Sequence, residues 1–301
     1  MAVTVGRDVC LSEETCSKLG ARWMPQETTV RERQQIESAA EISNAHPSET
    51  GQALSRREIV SYVINLDRSM DRWQHIKSQA EEFGLDVQRI AGVEIDPASG
   101  TQWPDYDRAA FVRGNGRPML PQEYGCYLAH VKALDAFLES TAECAVIMED
   151  DVNLSADLVS RAYSAHQAAP FAEVLKLLNH RVVWFRPIAR SVGGDTIGKC
   201  LFGPQGSAAC YLVTRAGARK MVEALKVITC PYDIALERAW ATGVKVYTVK
   251  DDLIALSVRS KESQIADRAR YRSIKLRGIR KIPTHIWRMV ELFRRVRYAL
   301  S

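Results

Sequence analysis

Three consecutive acids, Glu149, Asp150 and Asp151, close the short apolar run AVIM at residues 145–148. A buried strand that delivers carboxylates at its C-terminal edge is a natural ligand site in an α/β protein. Adjacent carboxylates repel one another and resist desolvation, so they need solvent, a basic partner or a divalent cation. The last remedy would hold Mg²⁺ or Mn²⁺ against a phosphate, and the plainer reading is a solvated acidic turn capping the next helix. A second set follows the run VSYVIN, where Asn65, Asp67, Arg68 and Arg72 stand at and just beyond a strand end. There a carboxylate could cap the following helix, and the arginines could meet phosphates. His130 stands alone on a helical segment, and Asp233 lies just inside a helix behind Pro231.

These residues need a scaffold, and the periodicity supplies one. Residues 60–66 read as a β-branched strand, and 70–84 as a helix stopped by Gly84. Residues 86–95 read as a second strand, which makes a βαβ unit. The stretch from Asp96 to Met119, rich in Gly, Pro and Asp, reads as a long surface loop. A helix over 121–140 carries Tyr127, Val131, Leu134 and Leu138 on one face. Residues 144–148, 173–178, 206–214 and 244–249 read as strands, and 154–167, 215–225 and 231–243 as helices. Strands alternating with helices predict an α/β fold with a mostly parallel sheet flanked by helices.

The chain has 301 residues, 46% of them hydrophobic, enough for a sizeable core. No apolar stretch reaches about 18 residues, and the N-terminus lacks the pattern of a secretory leader. The seven cysteines are scattered without a CxxC pair, which reads as reduced thiols in a cytoplasmic protein. The net charge of +5 is uneven, because residues 268–301 carry +10 and the remainder −5. We therefore divide the chain into a polar N-terminal segment (1–55), a body (56–267) and a basic tail (268–301). In the tail, Ile286, Val290, Phe293, Val296 and Leu300 form a helical stripe, with Arg288, Glu291, Arg294 and Arg295 away from it. Such a helix suits an anionic membrane surface, with packing on the body or a nucleic-acid arm as less favoured readings.

The order of motifs resembles the bacterial family 25 glycosyltransferases, lipooligosaccharide-type galactosyltransferases related to the collagen galactosyltransferases. The matching residues are VINLDRSMDRW (63–73), EYGCYLAHVKAL (123–134), AVIMEDDV (145–152), GSAACYLVTRAGARKM (206–221) and PYDIAL (231–236). The resemblance implies a GT-A fold and a metal-dependent, inverting transfer of a hexose from a UDP-sugar, typically UDP-galactose, to a sugar hydroxyl. Glu149-Asp150-Asp151 would take the place of the GT-A DxD motif. Asp151 would be the direct ligand of Mn²⁺ or Mg²⁺, with Glu149 or Asp150 on metal-bound water or ribose. Asn65 or Asp67 would meet uracil or ribose, and Arg68 or Arg72 the phosphates. His130 would lie in the donor site, and Asp233 would be the base. Gln205 and Ser207 are further donor-pocket candidates. The implied acceptor is a lipid-linked saccharide, which would place the protein at the inner face of the cytoplasmic membrane. Two other classes fit the residues alone: a metal-dependent phosphoesterase or nuclease, and a non-catalytic basic module binding membrane or nucleic acid.

Overall fold

The computed structural model describes residues 58–258, apart from Pro97, Ser99 and Thr101, and residues 273–301. The proposed N-terminal segment, 1–55, lies outside the described residues, as does the start of the tail. The sheet begins with β1 (Ile59–Asn65), β2 (Val87–Ala91) and β3 (Cys144–Glu149). It continues with β5 (Val174–Lys176), β6 (Val183–Arg190), β7 (Thr196–Phe202), β8 (Cys210–Thr214) and β9 (Val246–Val249). Their spatial order is β2-β1-β3-β8-β5-β9-β7-β6. Six of these eight strands run one way, and β7 and β8 run against them. A separate short ladder pairs β4 (Val152–Asn153) with β10 (Ala255–Leu256). The arrangement is the mixed α/β architecture of a GT-A-like fold.

Alternation along the central strands explains why both faces are covered. On β1 and β3, Val60, Tyr62, Ile64, Ala145 and Ile147 join one apolar core. Ile59, Val63, Cys144, Val146 and Met148 join the other. The first core is closed by α2 (Arg108–Asn115), α3 (Pro121–Glu139), α5 (Arg215–Ala224), α6 (Tyr232–Leu236) and α7 (Ala239–Thr242). The second is closed by α1 (Met70–Phe83) and α4 (Leu158–Ala168). Gly84 ends α1 with φ of 65°, and its N–H reaches the carbonyls of Ala80 and Glu81. That left-handed position is the one a helix-stopping glycine supplies.

Two expectations need correction, and one hairpin had none. The segment 96–119 is not all loop: Asp107 accepts from the Ala110 N–H at 2.9 Å and caps α2. The predicted helix over 231–243 is two short helices, α6 and α7, separated at Glu237 and Arg238. The hairpin β6–β7 went unread, because polar and charged residues interrupt its alternation. The tail forms α8 (Ile282–Leu300), packed on α2, β7 and α7. No helix among the described residues is long and apolar enough to cross a membrane.

Candidate active site

The C-terminal ends of β1 and β3 are neighbours, and their side chains assemble the site. Asn65 is buried and donates to Asp150 Oδ2 at 2.7 Å and to the Ser69 carbonyl at 2.9 Å. Its side-chain oxygen, Oδ1, accepts from Arg89 Nε at 2.8 Å. Arg72, in the first turn of α1, donates to Asp150 Oδ1 at 3.2 Å. Asp150 is therefore held from both sides, although burial still pushes its carboxyl above the ordinary value. Asp67 does not cap α1; it is exposed and pairs with Arg89. Arg68 pairs with Glu94 at 3.1 Å.

Glu149 points the other way, toward α3. His130, fully buried, meets Glu149 Oε1 through Nε2 and the Tyr211 hydroxyl through Nδ1, both at 3.2 Å. Its ring stacks on Tyr232 at 4.1 Å, and the Tyr232 and Tyr211 hydroxyls bond at 2.8 Å. Cys126, one turn before His130, completes a thiol–imidazole–carboxylate group whose ligand atoms lie within 4.8 Å of one another.

Asp151 differs from its neighbours. Its Oδ1 is buried and has no hydrogen-bond partner. Burial, reinforced by the charges of Glu149 and Asp150, pushes its carboxyl up to about 7. A carboxylate with one buried, unpartnered oxygen beside two more acids concentrates negative charge that a hard divalent cation would relieve. The residues present thus fit an Mg²⁺ or Mn²⁺ ion, with Asp151 and Glu149 as the candidate ligands.

All three acids line a solvent-open cleft, together with Arg68, Arg72, Glu94, Gln122, Cys126 and His130. Gln122 Oε1 is likewise buried without a partner. Asn65, Asp67 and Asp233 do not line this cleft. Asp233 nevertheless follows Tyr232, the residue stacked on His130, and its charge acts on Cys126 in the cleft. Burial and the neighbouring Glu237 raise its carboxyl, and Lys176 opposes that rise.

Lys176 escaped the sequence reading. It is fully buried on β5 and donates to the Gly206 carbonyl at 2.6 Å. Burial lowers its pKa, against the raising charges of Glu237 and Asp233. The available signal was the lysine inside the otherwise apolar run VLKLL, residues 174–178. Gln205 and Ser207 are buried away from this cleft, and the Gln205 N–H donates to Glu237 at 2.9 Å.

Residues 58–236 match the profile of a family described as Glycosyltransferase family 25 (LPS biosynthesis protein). A protein named "Glycosyltransferase 25 family member" from Anopheles gambiae is 29% identical over 111 residues, which is 34% of this chain and 18% of that protein. One of the same name from Aedes aegypti is 29% identical over 96 residues, 30% of this chain and 16% of that protein. The matched stretch thus spans less than a fifth of either relative.

Proposed function

The chain belongs to glycosyltransferase family 25, and from that premise we propose that it moves a hexose from a UDP-sugar to a sugar hydroxyl of a surface glycan. It is a glycosyltransferase, so a sugar donor and an acceptor are implied. The finer reading is an inverting transfer, with UDP-galactose as donor and a lipid-linked saccharide of the lipooligosaccharide type as acceptor. The enzyme would work peripherally at the inner face of the cytoplasmic membrane. The phosphoesterase and non-catalytic readings leave the family match unexplained.

One observation carries the metal-dependent part: the buried, unpartnered Asp151 Oδ1 at the strand edge, beside Glu149, in a cleft that also presents Arg68 and Arg72. A bound Mg²⁺ or Mn²⁺, held by Asp151 and Glu149, would offset the charge developing on the leaving nucleoside diphosphate. Arg68 and Arg72 supply fixed positive charge to the same diphosphate. Asn65 and Arg72 hold Asp150 so that the strand end keeps its shape. His130, set by Tyr211 and Tyr232, orients Glu149. Asp233, at the start of α6, takes the proton of the acceptor hydroxyl as it attacks the anomeric carbon.

The test is a panel of nucleotide sugars in a thermal-shift assay, with Mn²⁺, with Mg²⁺ and with EDTA. A UDP-hexose should stabilise the protein only when the cation is present. Equal stabilisation by UDP-hexose in EDTA would remove the metal from the reading, and no stabilisation by any UDP-sugar would remove the donor.

A further inference from the structure

Helix α8 is mounted with two of its charges, Glu291 and Arg295, inward. Glu291 and Arg295 are buried on the side facing the body, with Thr284 and Ala299. Glu291 accepts from Arg238 Nε at 2.6 Å and from Trp240 Nε1 at 3.0 Å. Arg295 donates to Glu237 at 3.0 Å and lies over the Trp240 ring. The Tyr298 hydroxyl bonds both the N–H and the carbonyl of Val246 at 2.9 Å. The packed face is therefore built on polar contacts made by Glu291, Arg295 and Tyr298, while the buried Thr284 hydroxyl has no partner.

The outward face is the apolar one. Ile282, Ile286, Met289, Val290, Phe293 and Leu300 are between 42% and 68% exposed. Their spacing of three, four and seven residues places them on one stripe. A soluble surface rarely keeps so many large apolar side chains contiguous unless something covers them. Turning the helix to bury the stripe would leave Arg238 and Glu237 without their buried partners, so the orientation is fixed by charge. Arg280, Arg288, Arg294 and Arg297 are exposed on the turn before α8 and on α8 itself. Glu291, the one acid between residues 273 and 301, is buried.

We propose that this stripe is a preformed docking face for an anionic lipid bilayer, with α8 lying in the membrane plane. The apolar side chains would enter the boundary between headgroups and acyl chains, and the arginines would meet the headgroup phosphates. Charge complementarity selects this occupant. Pairing with α8 of a second copy would set arginines against arginines with no exposed acid between them. The proposal gives the peripheral placement suggested above its surface, and rests on that reading only for where the acceptor lies.

The test uses the full chain in co-sedimentation with phosphatidylcholine vesicles, with and without phosphatidylglycerol. The chain should bind the anionic vesicles, bind the neutral ones at least fivefold less, and be released by salt. Ile286→Ser/Phe293→Ser and, separately, Arg280→Gln/Arg297→Gln should each lower binding at least fivefold. Melting temperature and stabilisation by UDP-hexose should not change, since none of these residues touches the cleft. Should the double serine variant melt early, Phe293→Ser alone carries the same comparison. Equal sedimentation of the native chain and the serine variants overturns the proposal. So does a concentration-dependent dimer that the serine variants abolish, or retention on nucleic acid stronger than on vesicles. Loss of donor binding with vesicle binding intact would instead count against the catalytic reading alone.

Discussion

Asn65 and Asp150 join two neighbouring strand ends through a 2.7 Å hydrogen bond, with Arg72 on the other oxygen of the same carboxylate. The three consecutive acids consequently have three different environments. Asp150 is clamped, Glu149 faces His130, and Asp151 keeps an oxygen without a partner. A parallel pairing of β1 with β3, in which Ile64 faces Glu149, brings these strand ends level. The predictions below follow from that division of roles.

Asp151 should make the metal-free protein less stable as pH rises. A carboxyl whose folded value lies above its unfolded value of 3.8 binds its proton more tightly in the folded state. Its contribution is full below about 4, declines between about 4 and 7, and is gone above about 7. A displacement of that size corresponds to roughly 4 kcal/mol as an upper bound. Asp151→Asn should flatten this part of the melting-temperature profile and raise the melting point at pH 8 without cation. The same variant should lose at least tenfold in transferase activity at limiting Mn²⁺. An unchanged pH profile together with full activity in EDTA would refute both the burial and the metal assignment.

Asn65→Leu should cost about 1–3 kcal/mol in stability, because it strips a hydrogen bond from each of two charged groups, Asp150 and Arg89. It should also weaken UDP-hexose binding, since the clamp beneath the cleft is lost. Chemical denaturation and donor titration measure the two effects. A variant as stable as the native chain would show that water replaces the amide at no cost.

The sequence carried the fold where periodicity was strong and failed where tertiary partners decide. The runs ending at Asn65 and Glu149 and the Gly84 stop were legible because alternation and helix-stop chemistry are local. Helix α2 was not, since RAAFVRGN is short and its Asp107 cap lies in a loop-like composition. The split between α6 and α7 was hidden too: at the break, the Glu237 carboxylate meets Arg295 and the Gln205 N–H, partners distant in sequence. In the site, the residue types at the two strand ends were legible, but their mutual contacts were not. Asn65 and Asp67, expected at the nucleotide, both pair with Arg89, a partner on β2 that local sequence does not reveal. The tail stripe was readable, and only the packing of Glu291 and Arg295 shows that it faces outward.

Gly125→Ala should be strongly disruptive although it adds one methyl group. A Cβ there would lie 2.3 Å from the Val93 carbonyl oxygen, a backbone atom that cannot step aside alone. Helix α3 would have to move off the extended segment that follows β2, narrowing or reshaping the cleft both segments line. The expected loss is about 1–3 kcal/mol, with weakened donor binding. Native melting behaviour would mean that this close approach is not kept in solution.

Asp233→Asn should separate turnover from binding. The carboxylate accepts from the Ile234 N–H at 2.9 Å, so a structural role at the start of α6 competes with a catalytic one. Asparagine retains an oxygen for that bond and preserves shape, but it cannot take a proton at neutral pH. A structural carboxylate would therefore tolerate the change, whereas a general base would not. The expected result is a fall of about 10²–10⁴ in kcat, with donor-induced thermal stabilisation unchanged. Burial and Glu237 already hold the Asp233 carboxyl above the ordinary carboxylate value, which makes it a stronger base when ionised. The native rate should accordingly rise with pH through a step above 3.8 and then level off. The residual rate of the asparagine variant should lack that step. If the variant folds, binds donor and turns over at the native rate, Asp233 is a helix-end acid and the proton goes to another group.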